Sequence, residues 1–80
     1  MIVTGIIREV QVTPVGGVII KSSYLGSEVI SDKNGRYNIQ TVENDVLTIS
    51  GNGFITTHIK VNSRKQIDIR VMYQHDKPEE

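Results

Sequence analysis

Hydrophobic and polar side chains alternate along most of this chain. Across residues 66–72, Ile67, Ile69 and Val71 fall on one face while Asp68 and Arg70 take the other, the two-residue period of a half-buried strand. Residues 57–61 repeat the pattern with His58 and Lys60 outward. Residues 46–50 place Leu47 and Ile49 inside, and residues 37–40 bury Tyr37 and Ile39. Nearer the start, residues 3–8, 18–21 and 28–31 are shorter and more continuously apolar. The pattern therefore predicts seven strands. If Val3, Gly5 and Ile7 point inward, Ile6 points outward; if Val18 and Ile20 point inward, Ile19 points outward; one of Val29 and Ile30 also faces out.

Turn chemistry separates the runs. Pro14-Val15-Gly16-Gly17 breaks the first connection. Asp32-Lys33-Asn34-Gly35 predicts a hairpin: Asn34 and Gly35 supply the positive-φ corner, and the Asp32 carboxylate caps loop amides. Glu43-Asn44-Asp45, Gly51-Asn52-Gly53 and Asn62-Ser63-Arg64 punctuate the later part. Strands spaced at roughly 8–12 residues with such turns indicate a sandwich or barrel rather than an α/β fold. No segment sustains a helical period. Residues 1–73 read as one all-β domain. Residues 74–80, charged and interrupted by Pro78, read as a tail or the start of a linker.

Composition strengthens the strand reading. Ten Val, twelve Ile and six Thr make 28 of 80 residues β-branched, with two Leu and no Ala; branching at Cβ suits a pleated surface, whereas Ala and Leu favour helices. Nine basic residues balance nine acidic ones, unlike the basic excess of a nucleic-acid-binding domain. No Cys is present, which excludes a disulfide frame and thiolate metal ligands. No apolar run approaches the roughly 20 residues of a membrane helix. The opening Met1-Ile2-Val3-Thr4-Gly5 lacks the charged start and apolar stretch of a signal peptide, so none is expected within these residues.

Candidate chemistry is sparse. His58 lies outward on a strand and His75 in the tail, without the close pairing that offers a metal two ligands from one element. The Asp32 loop lacks the further oxygen ligands and the bidentate Glu of a calcium loop. No Ser sits in a nucleophile elbow, and Gly51-Asn52-Gly53 joins two strands rather than opening a helix. Glu9, Glu28, Asp45 and Asp68 have no spacing that brings them together. The expectation is a non-enzymatic chain with no cofactor and no metal. Two surfaces remain. Ile6 and Ile19, on the outward faces of their strands, are candidates for an apolar patch that docks a neighbouring domain; exposed isoleucines scattered singly are the ordinary alternative. Tyr24 and Tyr73 are the aromatic rings available for a carbohydrate, though no Trp accompanies them.

The order of these features resembles the carboxypeptidase-regulatory-like domain family. The resemblance runs through Thr4-Gly5-Ile6-Ile7, Pro14-Val15-Gly16-Gly17-Val18 and the Ser31-Asp32-Lys33-Asn34-Gly35-Arg36-Tyr37 hairpin. It continues through the strand leading into Gly53-Phe54 and the alternating Ile67-Asp68-Ile69-Arg70-Val71, and it covers about residues 2–73. It implies a transthyretin-like (prealbumin-like) seven-strand Greek-key β-sandwich. It also implies a non-catalytic accessory module of an exported or cell-envelope protein, periplasmic or outside the cell. Such modules stand beside peptidases or, in Bacteroidetes-type bacteria, before the plug of TonB-dependent outer-membrane receptors. In that reading Ser31, Asp32, Asn34, Gly35 and Tyr37 are hairpin and core determinants, Gly53 and Phe54 lead into the sixth strand, and the partner is a neighbouring domain or protein. The chain departs from the family pattern at residues 8–13, where Arg8-Glu9-Val10-Gln11-Val12-Thr13 replaces a short acidic turn, and at Val18, which stands where Ala is usual.

Overall fold

The alternation becomes seven strands in a computed structural model that describes residues 1–9, 13–51 and 53–72. They are β1 (Ile2–Glu9), β2 (Ile19–Ser22), β3 (Glu28–Ile30), β4 (Arg36–Gln40), β5 (Val46–Ser50), β6 (Thr57–Lys60) and β7 (Ile69–Val71). Two sheets form, one in the order β4-β1-β7 and the other β3-β2-β5-β6. All pairings are antiparallel except β1 with β7, which is parallel. The sheets pack face to face. Val3, Ile7, Tyr37, Ile39, Ile69 and Val71 from the first meet Ile20, Leu47 and Ile49 from the second, with Val18, Val61 and Ile67 completing the core. Branched side chains fill this layer because each of those strands presents alternate residues to it.

β1 organises the first sheet by changing partner along its length. Ile2–Ile6 pair with β4, whereas Ile7–Glu9 pair with β7. At the changeover the last strand departs from regular pairing. Lys65 O accepts from Thr4 N–H at 3.0 Å, and Ile67 N–H donates to Thr4 O at 2.9 Å. The Ile67 carbonyl then turns inward, where the Tyr37 hydroxyl donates to it at 2.6 Å, and Ile6 N–H finds the Asp68 carboxylate at 3.2 Å instead. The expected strand over residues 66–72 is thereby shortened to Ile69–Val71. Gly5 makes this possible: a Cβ there would lie 1.9 Å from Ile67 O.

The β3–β4 turn follows the expected chemistry with one correction. Asp32 Oδ1 accepts from Asn34 N–H at 2.8 Å and Arg36 N–H at 3.0 Å, and Gly35 N–H closes the turn on Asp32 O at 2.8 Å. Positive φ falls on Gly35 alone (76°), not on an Asn34–Gly35 pair, because the bond from Gly35 back to Asp32 places Gly35 at the fourth turn position, where glycine is favoured. Ser31 is buried; its hydroxyl donates to Val15 O and accepts from Val18 N–H. This ties the β1–β2 connection to the turn. Gly53 has φ 83°, and Phe54 packs half-buried against the core before β6 begins.

Candidate functional site

The strand directions gather the β2–β3, β4–β5 and β6–β7 connections at one end of the sandwich. At their centre is Asp45, 1% exposed. The hydroxyls of Ser22 and Thr41 both donate to its Oδ2. Its Oδ1 accepts from Tyr24 N–H at 3.0 Å and from its neighbour Val46 N–H at 2.7 Å. Burial alone would raise the pKa of this carboxyl, but these four hydrogen bonds favour the charged form and lower it below its ordinary value. The Asp45 carbonyl also accepts from Val61 N–H at 2.9 Å. One residue therefore fastens three connections: its carboxylate joins β2–β3 to β4–β5, and its main-chain carbonyl holds the start of β6–β7.

The β2–β3 loop is the most constrained of these. Ser22 N–H donates to Ser27 O at 2.8 Å, Ser23 N–H to Val46 O at 3.1 Å and Gly26 N–H to Ser22 O at 2.9 Å. Leu25 N–H meets the Ser22 hydroxyl at 3.0 Å, and Gly26 supplies the left-handed residue at φ 71°. On this fixed backbone the two largest side chains are turned outward: Tyr24 is 77% exposed and Leu25 49%. Beside it, a shallow hollow of about 490 Å³ is lined by Met1, Val42, Glu43, Ser63 and Lys65. Asn62 and Ser63 both hold positive φ (50° and 60°), and Ser63 is pinned through its N–H to Glu43 O at 2.8 Å.

The outward faces of the two sheets behave differently. On the β4-β1-β7 face, Thr4, Ile6, Asp32, Arg36, Asn38 and Gln66 border a polar concavity of about 380 Å³. The Tyr37 hydroxyl beneath it is held protonated well above the ordinary tyrosine range. Burial is the main cause and the Asp68 carboxylate the second, with Arg64 opposing them. On the β3-β2-β5-β6 face, Ile19 lies opposite Ile30, which is 65% exposed, and Thr48 Oγ1 is 3.2 Å from His58 Nδ1.

Ile6 and Ile19 therefore do not form one patch. Each is half-buried and belongs to the outer face of a different sheet, because both core faces are occupied by the alternate residues of β1 and β2. Ile6 sits among polar neighbours, and the apolar neighbour of Ile19 is Ile30. Tyr24 is exposed as expected, while Tyr73 and the tail lie outside the described residues. The residues that sequence reasoning passed over are Asp45, Ser22 and Thr41. The available signal was an acid directly before the Val46–Ser50 strand with Thr41 four residues earlier; its Ser22 partner, 23 residues away, left no mark in local spacing.

Among the described residues, no group of three or more His, Cys, Asp or Glu is arranged to hold a metal ion, and no helix is long and apolar enough to cross a membrane. No model of a known protein family matches the chain, and no curated protein matches it significantly.

Proposed function

We propose that this chain is a non-catalytic accessory β-sandwich module of a bacterial cell-envelope or exported protein, and that it works by rigid docking to a neighbouring domain or protein. The observation that carries the reading is the Tyr24–Leu25 pair: a loop anchored on a buried carboxylate that nevertheless turns its two largest side chains into solvent. An exposed Tyr on fixed backbone loses little conformational entropy when a partner covers it, and Tyr is enriched among residues that dominate protein interfaces.

The strand orders β4-β1-β7 and β3-β2-β5-β6, with the parallel β1–β7 pair, support a transthyretin-like Greek-key arrangement. Gly5 against Ile67 and Tyr37, the Asp32 turn and Gly53-Phe54 support the carboxypeptidase-regulatory-like resemblance, each having a structural reason for its residue type.

The test is site-specific photocrosslinking in the full-length protein in its native host, with a benzophenone amino acid at Tyr24 and, as control, at the exposed Lys33 at the other end of the sandwich. Crosslinks from position 24 to one defined protein surface, absent from position 33, are expected. The same yield and products from both positions would overturn docking through this loop. Glycan-induced chemical shifts that saturate and cluster around Tyr24 would replace docking by carbohydrate binding.

A further inference from the structure

One pairing within the β4-β1-β7 sheet sets like charges side by side. Arg8 and Arg70 are register partners in the parallel β1–β7 ladder. Val3 and Ile7 on β1 are buried, as are Ile69 and Val71 on β7, so the alternation sends Arg8 and Arg70 out of the same face. Their strands run about 4.8 Å apart, and like charges directly opposite destabilise a sheet. Elsewhere the chain does the reverse: Lys21 faces Glu28 across β2 and β3.

Two carboxylates on this side of the sheet, Asp68 and Asp32, keep their charge but bond backbone amides rather than the guanidiniums. Neither guanidinium makes an ion pair with a described carboxylate. Asp68, two residues before Arg70, commits Oδ1 to Ile6 N–H. Asp32 commits Oδ1 to Asn34 and Arg36 N–H. On its other side Arg8 bridges Pro14, which carries no charge. A third cation, Arg36, lies opposite Ile6, one step along the same face from Arg8.

We infer that Arg8 and Arg70 form a binding site for an oxyanion. Guanidinium forks match the oxygens of such groups in pairs, and two forks with two positive charges match a dianionic phosphate-type group best. The bound anion offsets the repulsion that the pairing otherwise leaves in the sheet. This site lies on a sheet face, away from the Tyr24 loop, and does not depend on the docking reading.

The test uses the intact chain at constant ionic strength, titrated with inorganic phosphate and separately with acetate. The readouts are the Arg Nε–H resonances and the thermal midpoint. Phosphate should shift the Arg8 and Arg70 signals saturably, at least tenfold more tightly than acetate, and should raise the midpoint in step with occupancy. In R70Q both phosphate effects should vanish, while the midpoint in chloride stays equal to or above that of the parent because the repulsion has gone. R70K, which keeps the charge without the planar fork, should bind phosphate several-fold more weakly. Acetate binding as tight as phosphate would overturn the phosphate assignment. Shifts that grow linearly without saturating, or that persist in R70Q, would overturn the site.

Discussion

Two aspartates order loops in this molecule by the same local chemistry, and their surroundings give that chemistry different weight. Asp32 and Asp45 each use Oδ1 to accept two backbone N–H groups, Asn34 and Arg36 for the first and Tyr24 and Val46 for the second. Asp32 is exposed, and its partners lie within four residues. Asp45 is buried, and its Oδ2 takes two further hydroxyls, one of them 23 residues away. Around Asp32, water can replace any bond that is lost. Around Asp45 it has little access, so above all the buried Ser22 and Thr41 hydroxyls must be satisfied by that carboxylate or left stranded. The exposed carboxylate shapes one turn, whereas the buried one decides whether two connections meet, with a third hung on the same residue's carbonyl.

The largest effect is therefore expected at Asp45. Asp45→Ala strands the buried Ser22 and Thr41 hydroxyls and frees the half-buried Tyr24 and Val46 amides. Even two donors left fully unsatisfied cost about 2–6 kcal/mol. A chain of 80 residues has only about 4–12 kcal/mol of total stability at ordinary per-residue values. D45A should be largely unfolded or show a urea midpoint reduced by half or more. D45N, which keeps the shape and one acceptor oxygen but turns an NH₂ toward donors, should fall between D45A and the parent. A D45A midpoint near the parent value would remove the distinction between the two aspartates.

Acid offers a subtler way to break the same network. The Asp45 carboxyl has a folded-state pKa lowered from the ordinary 3.8. Its ionised form thus contributes stability that is fully present above the unfolded value and is lost as pH falls through the folded one. The parent urea midpoint should decline below about pH 4, and the decline should be shallower in D45N, where the group no longer titrates. An equally steep acid limb in D45N would assign the loss to other carboxylates.

The contrast also separates what could be read from the chain from what could not. The Asp32 turn was legible because Asp, Asn and Gly within four residues carry their own geometry, and only the share of positive φ between Asn34 and Gly35 was misjudged. The seven strands were legible because burial follows a two-residue period, so Leu47 and Ile49, or Ile69 and Val71, declare their face. Asp45 was not, since its partner Ser22 reaches it only when β2 pairs with β5, a contact across 23 residues that local spacing does not show, and Thr41 four residues earlier carries no geometry of its own. The break at Ile67–Asp68 was hidden for the same reason: Gly5 and Tyr37, from two other strands, draw the Ile67 carbonyl out of the ladder. Ile6 and Ile19 failed as a joint patch because alternation fixes which face a residue takes within its strand, not which sheet that strand joins.

The smallest effect is expected at Asp32, and its character matters more than its size. Asp32→Ala removes the acceptor for Asn34 and Arg36 N–H but leaves the backbone bond from Gly35 N–H to Asp32 O. Both freed amides are at the surface, so the loss should be about 0.5–1.5 kcal/mol, which lowers the thermal midpoint of a domain this size by about 4–8 °C per kcal/mol. D32N, which keeps an acceptor oxygen in place, should recover most of it. Hydrogen exchange distinguishes the two sites more sharply than the midpoint does. In D32A the Asn34 and Arg36 amides should exchange faster, while core amides such as Leu47 and Ile49 slow or quicken only with global stability. In D45N the Tyr24 and Val46 amides should lose protection together with the Val61 amide that donates to the Asp45 carbonyl. Loss confined to a few neighbours marks a carboxylate that shapes its own turn. Loss that crosses from β5 to the β2–β3 and β6–β7 connections marks one that joins separate parts of the fold.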